Sequence, residues 1–242
     1  MSYGAYEPHG AAALDYFCGN ASAAITLHSE GGKTKDVPLS IFFRSAANLL
    51  PLEDLALGLA RGRVLDVGAG TGCHSLILQE KGLEVCAVDI VPALVEVMRK
   101  RGVSDARCAD IFEFAAPPFD TILMLMNGTV MLERLARVAP FLRHLRSLVK
   151  PAGQLLLHST DRRCLADPAE PALQEARRAA GRYFGEVAMQ LEYKGKKGAL
   201  FTVLMVDPGT LAEEAAKADW SCEVLGRHEE GGYLARLSPL AW

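Results

Sequence analysis

Asp66, Asp89 and Asp110 each close an apolar run, and the first run leads into three glycines at two-residue spacing, Gly68, Gly70 and Gly72. Glycine has no Cβ and tolerates positive φ, so such a loop lets the backbone pass close beneath a ligand. A helix opening near Cys73 would aim its unbonded N–H groups at the same place. The spacing narrows the ligand class. A dinucleotide loop reads G-x-G-x-x-G, with the third glycine there for close helix packing. That position is Cys73 in this chain, and the third glycine stands one residue early. Asp66, two residues before Gly68, would repel a pyrophosphate and would suit a ligand carrying an amine and a sulfonium. Asp89 closes Val85-Cys86-Ala87-Val88 at the offset where a carboxylate holds ribose hydroxyls. Asp110 follows Ala106-Arg107-Cys108-Ala109, positioned to accept from an adenine amine.

The glycine loop and the three acids, in this order and each after a strand, resemble the class I S-adenosylmethionine-dependent methyltransferases. The resemblance covers residues 60–160 well and continues more weakly to the C-terminus. It points to bacterial small-molecule enzymes that share an N-terminal extension and a Met-Asn-Gly turn after the fourth strand, here Met126-Asn127-Gly128. It implies S-adenosyl-L-methionine as cofactor and S-adenosyl-L-homocysteine as product. Gly68, Ala69, Gly70 and Gly72 would approach the methionine part, and Asp66 would orient its amine, directly or through water. Asp89 would take both ribose hydroxyls, Ile90 would pack on the adenine, and Asp110 and Ile111 would address its edge. The competing reading of Asp89 and Asp110 is that of turn or capping acids. Methyl transfer is an in-line displacement whose electrophile comes with the cofactor, so the protein mainly aligns and desolvates. A general base is needed only if the nucleophile arrives protonated.

Candidates for that chemistry are Asn127, ending the fourth strand, and His158, ending the fifth. The carboxamide of Asn127 would orient an acceptor amine or hydroxyl and border the cofactor; its plainer reading is an Asn-Gly turn. His158 would serve as base, its ordinary pKa lying near neutrality, or be a structural histidine. The chain lacks the Asn-Pro-Pro-aromatic signature of amino-methylating nucleic-acid enzymes. His74 caps or packs at the first crossover helix. Tyr16, His28 and Phe43 would line a substrate site if the N-terminal segment is a lid, and Arg44 would pair with the cofactor carboxylate.

The elements that must hold these residues read as follows. Residues 1–47 are irregular, rich in aromatics and interrupted by Gly31-Gly32: a lid-like extension, or a segment that buries its own aromatics. Residues 48–242 form the main domain. Helices are expected at Pro51–Leu59, Ser75–Lys81, Pro92–Arg101, Met131–Leu148 (broken or kinked at Pro140), Pro171–Phe184 and Leu211–Ala218. Strands are expected at Val64–Val67, Val85–Asp89, Ala106–Phe112, Phe119–Met126 and Gln154–His158, with a closing hairpin of Ser221–Arg227 and Tyr233–Leu237. Alternating strands and helices predict an α/β, Rossmann-like three-layer sandwich with a seven-stranded, mostly parallel sheet. The resemblance implies the strand order 3-2-1-4-5-7-6, with cofactor over strands one to three and substrate over four and five, at the carboxyl ends. An extra hairpin at 186–206 would extend the substrate wall or form a dimer contact.

The 242 residues are half apolar with a net charge of −3, against a protein devoted to nucleic acid. Short basic runs, Arg99-Lys100-Arg101, Arg177-Arg178 and Lys194–Lys197, read as solvated faces. Six cysteines form no C-x-x-C pair, and Cys86 and Cys108 read as core residues. A reduced, cytoplasmic setting is expected, with no targeting segment, membrane span or metal cluster. The expected function is a small-molecule methyltransferase, possible as a homodimer. An RNA or protein methyltransferase and a non-catalytic binder of the cofactor are the alternatives.

Overall fold

Val64, Leu65, Val67, Val85, Cys86, Ala87 and Val88 are all buried, the near-continuous apolar pattern of parallel strands covered on both faces. They belong to a computed structural model that describes residues 3–240. Its helices are α1 (Glu7–Phe17), α2 (Pro51–Leu59), α3 (Cys73–Glu80), α4 (Pro92–Arg101), α5 (Val138–Arg146), α6 (Glu170–Ala179) and α7 (Pro208–Ala216). Its strands are β1 (Ala24–Ser29), β2 (Lys33–Pro38), β3 (Arg63–Val67), β4 (Glu84–Asp89), β5 (Asp105–Cys108), β6 (Phe119–Met124), β7 (Val149–Thr160), β8 (Glu186–Tyr193), β9 (Lys196–Lys197), β10 (Phe201–Leu204), β11 (Trp220–Arg227) and β12 (Gly232–Pro239). A seven-stranded sheet runs β11-β12-β7-β6-β3-β4-β5. Numbering only its own strands, that is the order 3-2-1-4-5-7-6 expected from the resemblance. β12 lies antiparallel to both β7 and β11, whereas β4–β5 and β6–β7 are parallel.

The chain divides into two compact units. One comprises the residues up to Leu50, Leu65–Phe114 and Ala188–Phe201; the other comprises Pro51–Val64, Ala115–Val187 and the residues from Thr202 onward. In the first unit, α4 begins with Pro92 at its first turn and ends at Gly102 with φ 101°. That is the proline-in, glycine-out asymmetry of a well-bounded helix. Its apolar face, Leu94, Val95 and Met98, is buried. α1 crosses α4 so closely that a Cβ on Gly10 would lie 2.9 Å from both Ala93 and Val91. In the second unit the core holds Phe119, Ile122 and Leu123 of β6 and Leu155–Leu157 of β7. Two polar rings there reach backbone acceptors: Trp220 Nε1 donates to Leu142 O at 3.0 Å and the Tyr233 hydroxyl to Val206 O at 2.8 Å.

Several sequence expectations need correction. Of the stretch 1–47, the described residues 3–47 are not irregular: they contain α1 and the hairpin β1–β2, turned through Gly31-Gly32. The extra hairpin of the 186–206 segment is present, with β10 beside β8, but it does not stand alone. β8 pairs with β1, Thr26–Ser29 against Met189–Glu192, in a second sheet ordered β10-β8-β1-β2. Gly128–Leu132 and Leu135–Arg137 are separate 3-10 turns, and α5 starts only at Val138. Pro140 therefore sits in the helix's first turn, where its missing N–H breaks no bond. The third strand stops at Cys108, which is exposed rather than core. The basic runs are not uniformly solvated either. Arg99 donates to Ala106 O, and Arg177, 1% exposed, is paired with Glu170. Among the described residues no helix is long and apolar enough to cross a membrane.

Candidate active site

In the first unit the loop after β3 is held by β4. Gly68 and Ala69 both donate to Val88 O, at 2.9 and 3.1 Å. Gly68, Gly70 and Gly72 all have positive φ, 67°, 59° and 80°, a backbone that side chains rarely tolerate. The last two glycines differ in purpose. A Cβ on Gly72 would sit 2.6 Å from Val103, so that position serves packing; a Cβ on Gly70 meets nothing within 4 Å, so the loop is open there.

Asp89 ties this loop to its own strand end. One carboxylate oxygen accepts Gly70 N–H and the other accepts Val91 N–H, each at 2.9 Å. Two carboxylate oxygens offer about four lone-pair directions, so each retains acceptor capacity for a ligand hydroxyl. Burial pushes the Asp89 carboxyl up to about 6, against the backbone N–H groups of Val91, Gly70 and Ile90, which favour its ionised form. Asp66 is deeper, 2% exposed, and accepts from Ser75 Oγ at 2.6 Å in the first turn of α3. Burial raises its carboxyl as well, opposed by His74 and Ser75. Asp110 accepts Phe112 N–H at 3.0 Å, so it does close a turn while its second oxygen stays outside that bond. Ile111 is buried, and Ile90 is half-buried against the cluster formed with α1 and the N-terminal hairpin.

Residues 42–44 lie against the same loop. The Thr71 hydroxyl donates to Phe42 O and the Cys73 thiol to Arg44 O, the latter at 3.1 Å. Phe43 stacks on Tyr16 with ring centroids 4.5 Å apart, and the Arg101 guanidinium lies 4.8 Å from the Phe43 ring centre. Tyr16, Phe43 and Arg44 are thus brought to the loop's neighbourhood. His28 is engaged elsewhere, its Nε2 2.8 Å from Glu192 across the β1–β8 pair.

In the second unit Asn127 and His158 meet. β6 and β7 run parallel with Met124 opposite Leu157, so the residues just past both strand ends become neighbours. Asn127 N–H donates to His158 Nδ1 at 2.8 Å, and Asn127 Oδ1 accepts from Thr160 Oγ1 at 2.7 Å. Met126 and Asn127 are both left-handed, at φ 52° and 62°. Two such residues in succession are strained, and asparagine is among the few that tolerate it. Gly128 follows because a Cβ there would lie 2.5 Å from Met124 Cβ. Burial lowers the His158 pKa, opposed by Glu53 and reinforced by His228. A backbone N–H bonded to Nδ1 leaves the proton of the neutral ring on Nε2, so His158 presents a donor there rather than the lone pair a base requires.

Sequence reasoning missed Thr71, Arg101 and Thr160. Thr71 sits inside the glycine loop and could have been flagged by position alone; Arg101 was indistinguishable from a solvated basic run.

Residues 43–223 match the methyltransferase-domain family. A solved S-adenosylmethionine-dependent methyltransferase from Bacteroides fragilis, in complex with S-adenosyl-L-homocysteine, is 36% identical and superimposes with a TM-score of 0.86. The match covers 100% of this chain and 98% of that one. Ubiquinone biosynthesis O-methyltransferase from Xanthomonas euvesicatoria pv. vesicatoria is 37% identical over 127 residues, 48% of this chain and 52% of that protein. The chain therefore spans about half the length of the curated relatives it matches. Streptomyces venezuelae DesVI, 15% identical over 77% of this chain and 90% of its own, with a TM-score of 0.56, shares the fold.

Proposed function

The chain belongs to the methyltransferase-domain family, and we propose that it transfers a methyl group from S-adenosylmethionine to an oxygen, nitrogen or sulfur atom of a small molecule. The observation that carries this reading is the joint between Asp89 and Gly70: a buried acid bonded to a loop that is open at its outermost glycine. A ribose diol beside Asp89 and an amino-acid moiety beside Gly68–Gly72 suit that donor set. Asp66, with Ser75, steadies the start of α3 and supplies negative charge for an amine. Asp110 and Ile111 offer an acceptor and an apolar wall to a purine, and Ile90 a second wall. Arg44 supplies the cation for a carboxylate. When bound, the cofactor supplies the electrophile itself, a methyl on a sulfonium, so the chain's remaining task is alignment and exclusion of water.

Asn127 is the residue offered to the acceptor. With Oδ1 held by Thr160, its amide N–H groups address a lone pair, which suits an oxygen acceptor; the similarity to an O-methyltransferase favours oxygen too. His158 holds the Asn127 backbone in place and is a positioning residue in this reading, not the base. In the first unit, Tyr16 and Phe43 form an aromatic pair beside the glycine loop. Among the described residues no disulfide joins any of the six cysteines, which suits work in a reducing compartment such as the cytoplasm.

Calorimetric titration with S-adenosylmethionine and S-adenosylhomocysteine tests the cofactor. Micromolar binding of both, lost in Asp89→Ala, is expected; binding of neither would sink the proposal. A mass-shift screen across phenols, amines and thiols then identifies the acceptor atom.

A further inference from the structure

We infer that Thr71 and Arg101 are positioning residues for the cofactor, acting through residues 42–44, a strap that they clamp to the glycine loop. The inference rests on the reading of that loop as the S-adenosylmethionine cradle.

The clamp is a chain of bonds with one polarity. Arg101 Nη1 donates to Thr71 O at 2.6 Å and to Thr71 Oγ1 at 2.9 Å. A hydroxyl has a single proton, so accepting from Arg101 leaves that proton for Phe42 O, the partner Thr71 has. Hydrogen bonds in series polarise one another, and Thr71 is 1% exposed, so water does not compete. The next loop residues repeat the arrangement, with Cys73 donating to Arg44 O. The strap is gripped on its other side by rings: Phe42 against His9, centroids 4.6 Å apart, and Phe43 between Tyr16 and Arg101. Arg99, Lys100 and Arg101 share one helix end, but only Arg101 reaches the glycine loop: Arg99 goes to Ala106 O and Lys100 to Glu96.

The strap and the loop therefore share the Thr71 hydroxyl. A ligand on the loop meets a strap already ordered, and no ordering cost is charged against binding. Removing the hydroxyl or the guanidinium frees the strap, and the ligand then leaves faster. Arg44, at the end of the strap, loses its placement at the same time.

The test uses the full chain with S-adenosylhomocysteine as the probe. Thr71→Val removes the hydroxyl at constant shape, Thr71→Ser restores it, and Arg101→Met removes the cation while keeping an apolar stem. Three quantities are read: the calorimetric Kd, the dissociation rate, and the rate of Cys73 alkylation by iodoacetamide in the ligand-free protein, followed at peptide level by mass spectrometry. Thr71→Val and Arg101→Met are each expected to weaken binding about tenfold, the scale of one lost hydrogen bond. The loss should lie mainly in faster dissociation, with Cys73 alkylated several-fold faster. Thr71→Ser should match wild type in all three. If Thr71→Val does not fold, Arg101→Met carries the comparison. Wild-type affinity in both loss variants, or a Thr71→Ser as weak as Thr71→Val, overturns the inference alone. Absence of binding to the wild-type protein removes the reading of the loop, and the inference with it.

Discussion

The Asn127 backbone N–H donates to Nδ1 of His158 at 2.8 Å, and that bond decides which ring nitrogen keeps the proton. A histidine read as a base from its place at a strand end becomes an acceptor for the backbone. Its buried setting, which lowers its pKa, keeps it neutral near pH 7.

The consequence is a substitution that separates the two roles. Asparagine carries its Oδ1 where histidine carries Nδ1, so His158→Asn keeps an acceptor for Asn127 N–H. Turnover should stay within about tenfold of wild type, because a lost general base would cost 10²–10⁴-fold. Asn127→Ala should lower kcat more than His158→Asn. Steady-state kinetics on the identified acceptor decides; a thousandfold loss in His158→Asn would restore it as the base.

Asp89 predicts a pH dependence of binding. Its carboxyl lies at about 6 in the free protein, and ligand hydroxyls donate best to the ionised form. Affinity for S-adenosylhomocysteine should be full above pH 6 and fall as pH drops through that value, approaching tenfold per unit. Asp89→Asn should bind weakly at every pH. Calorimetry between pH 5 and 8 checks both, and a flat wild-type profile would contradict the assignment.

His9 predicts a pH dependence of stability. Burial lowers its pKa to about 4, and its Nε2 is buried with no hydrogen-bond partner among the described residues. The unfolded chain protonates it near 6.5 and the folded one only near 4, so its contribution is full above 6.5 and is lost as pH falls towards 4. His9→Phe removes the penalty. The variant's stability relative to wild type should rise by up to about 1.4 kcal/mol per pH unit over that window, measured by urea unfolding at pH 7 and 4.5.

Gly70 and Gly72 should fail differently when given a side chain. Gly72→Ala drives a Cβ to 2.6 Å from Val103 and 3.1 Å from Met98, costing about 2–4 kcal/mol of stability. Gly70→Ala meets no atom, so it costs only the left-handed strain, roughly 1–2 kcal/mol, yet fills the open face of the loop. Gly70→Ala should keep the milder melting curve and lose the cofactor. A Gly70→Ala protein with normal affinity would place the ligand elsewhere.

A buried cluster in the second unit should be intolerant of neutralisation. Glu170 is bonded by both Arg162 and Arg177, and Arg177 Nη1 lies 2.8 Å from it. Glu170→Gln leaves buried guanidinium charge without its counterion, a loss of about 3–5 kcal/mol. Denaturant unfolding of this variant beside wild type measures it.

What could be read from sequence was local. The glycine loop and Asp66 fall within seven residues, 66–72, and α4 was delimited to the residue because Pro92 and Gly102 cap it from either end. The seven-stranded order followed because those local signals matched one known arrangement. The pairing of β1 with β8, Thr26 opposite Glu192, was not readable, since backbone hydrogen bonds are the same for every strand and name no partner. The same holds for Asn127 and His158, which meet only through the β6–β7 register, and for Arg101, whose guanidinium is as able to face water as Thr71 thirty residues away. Spacing along the chain specifies which backbone shapes are possible. Which side chains then touch is decided by packing, which alone brings distant residues within the 3 Å at which a hydrogen bond exists.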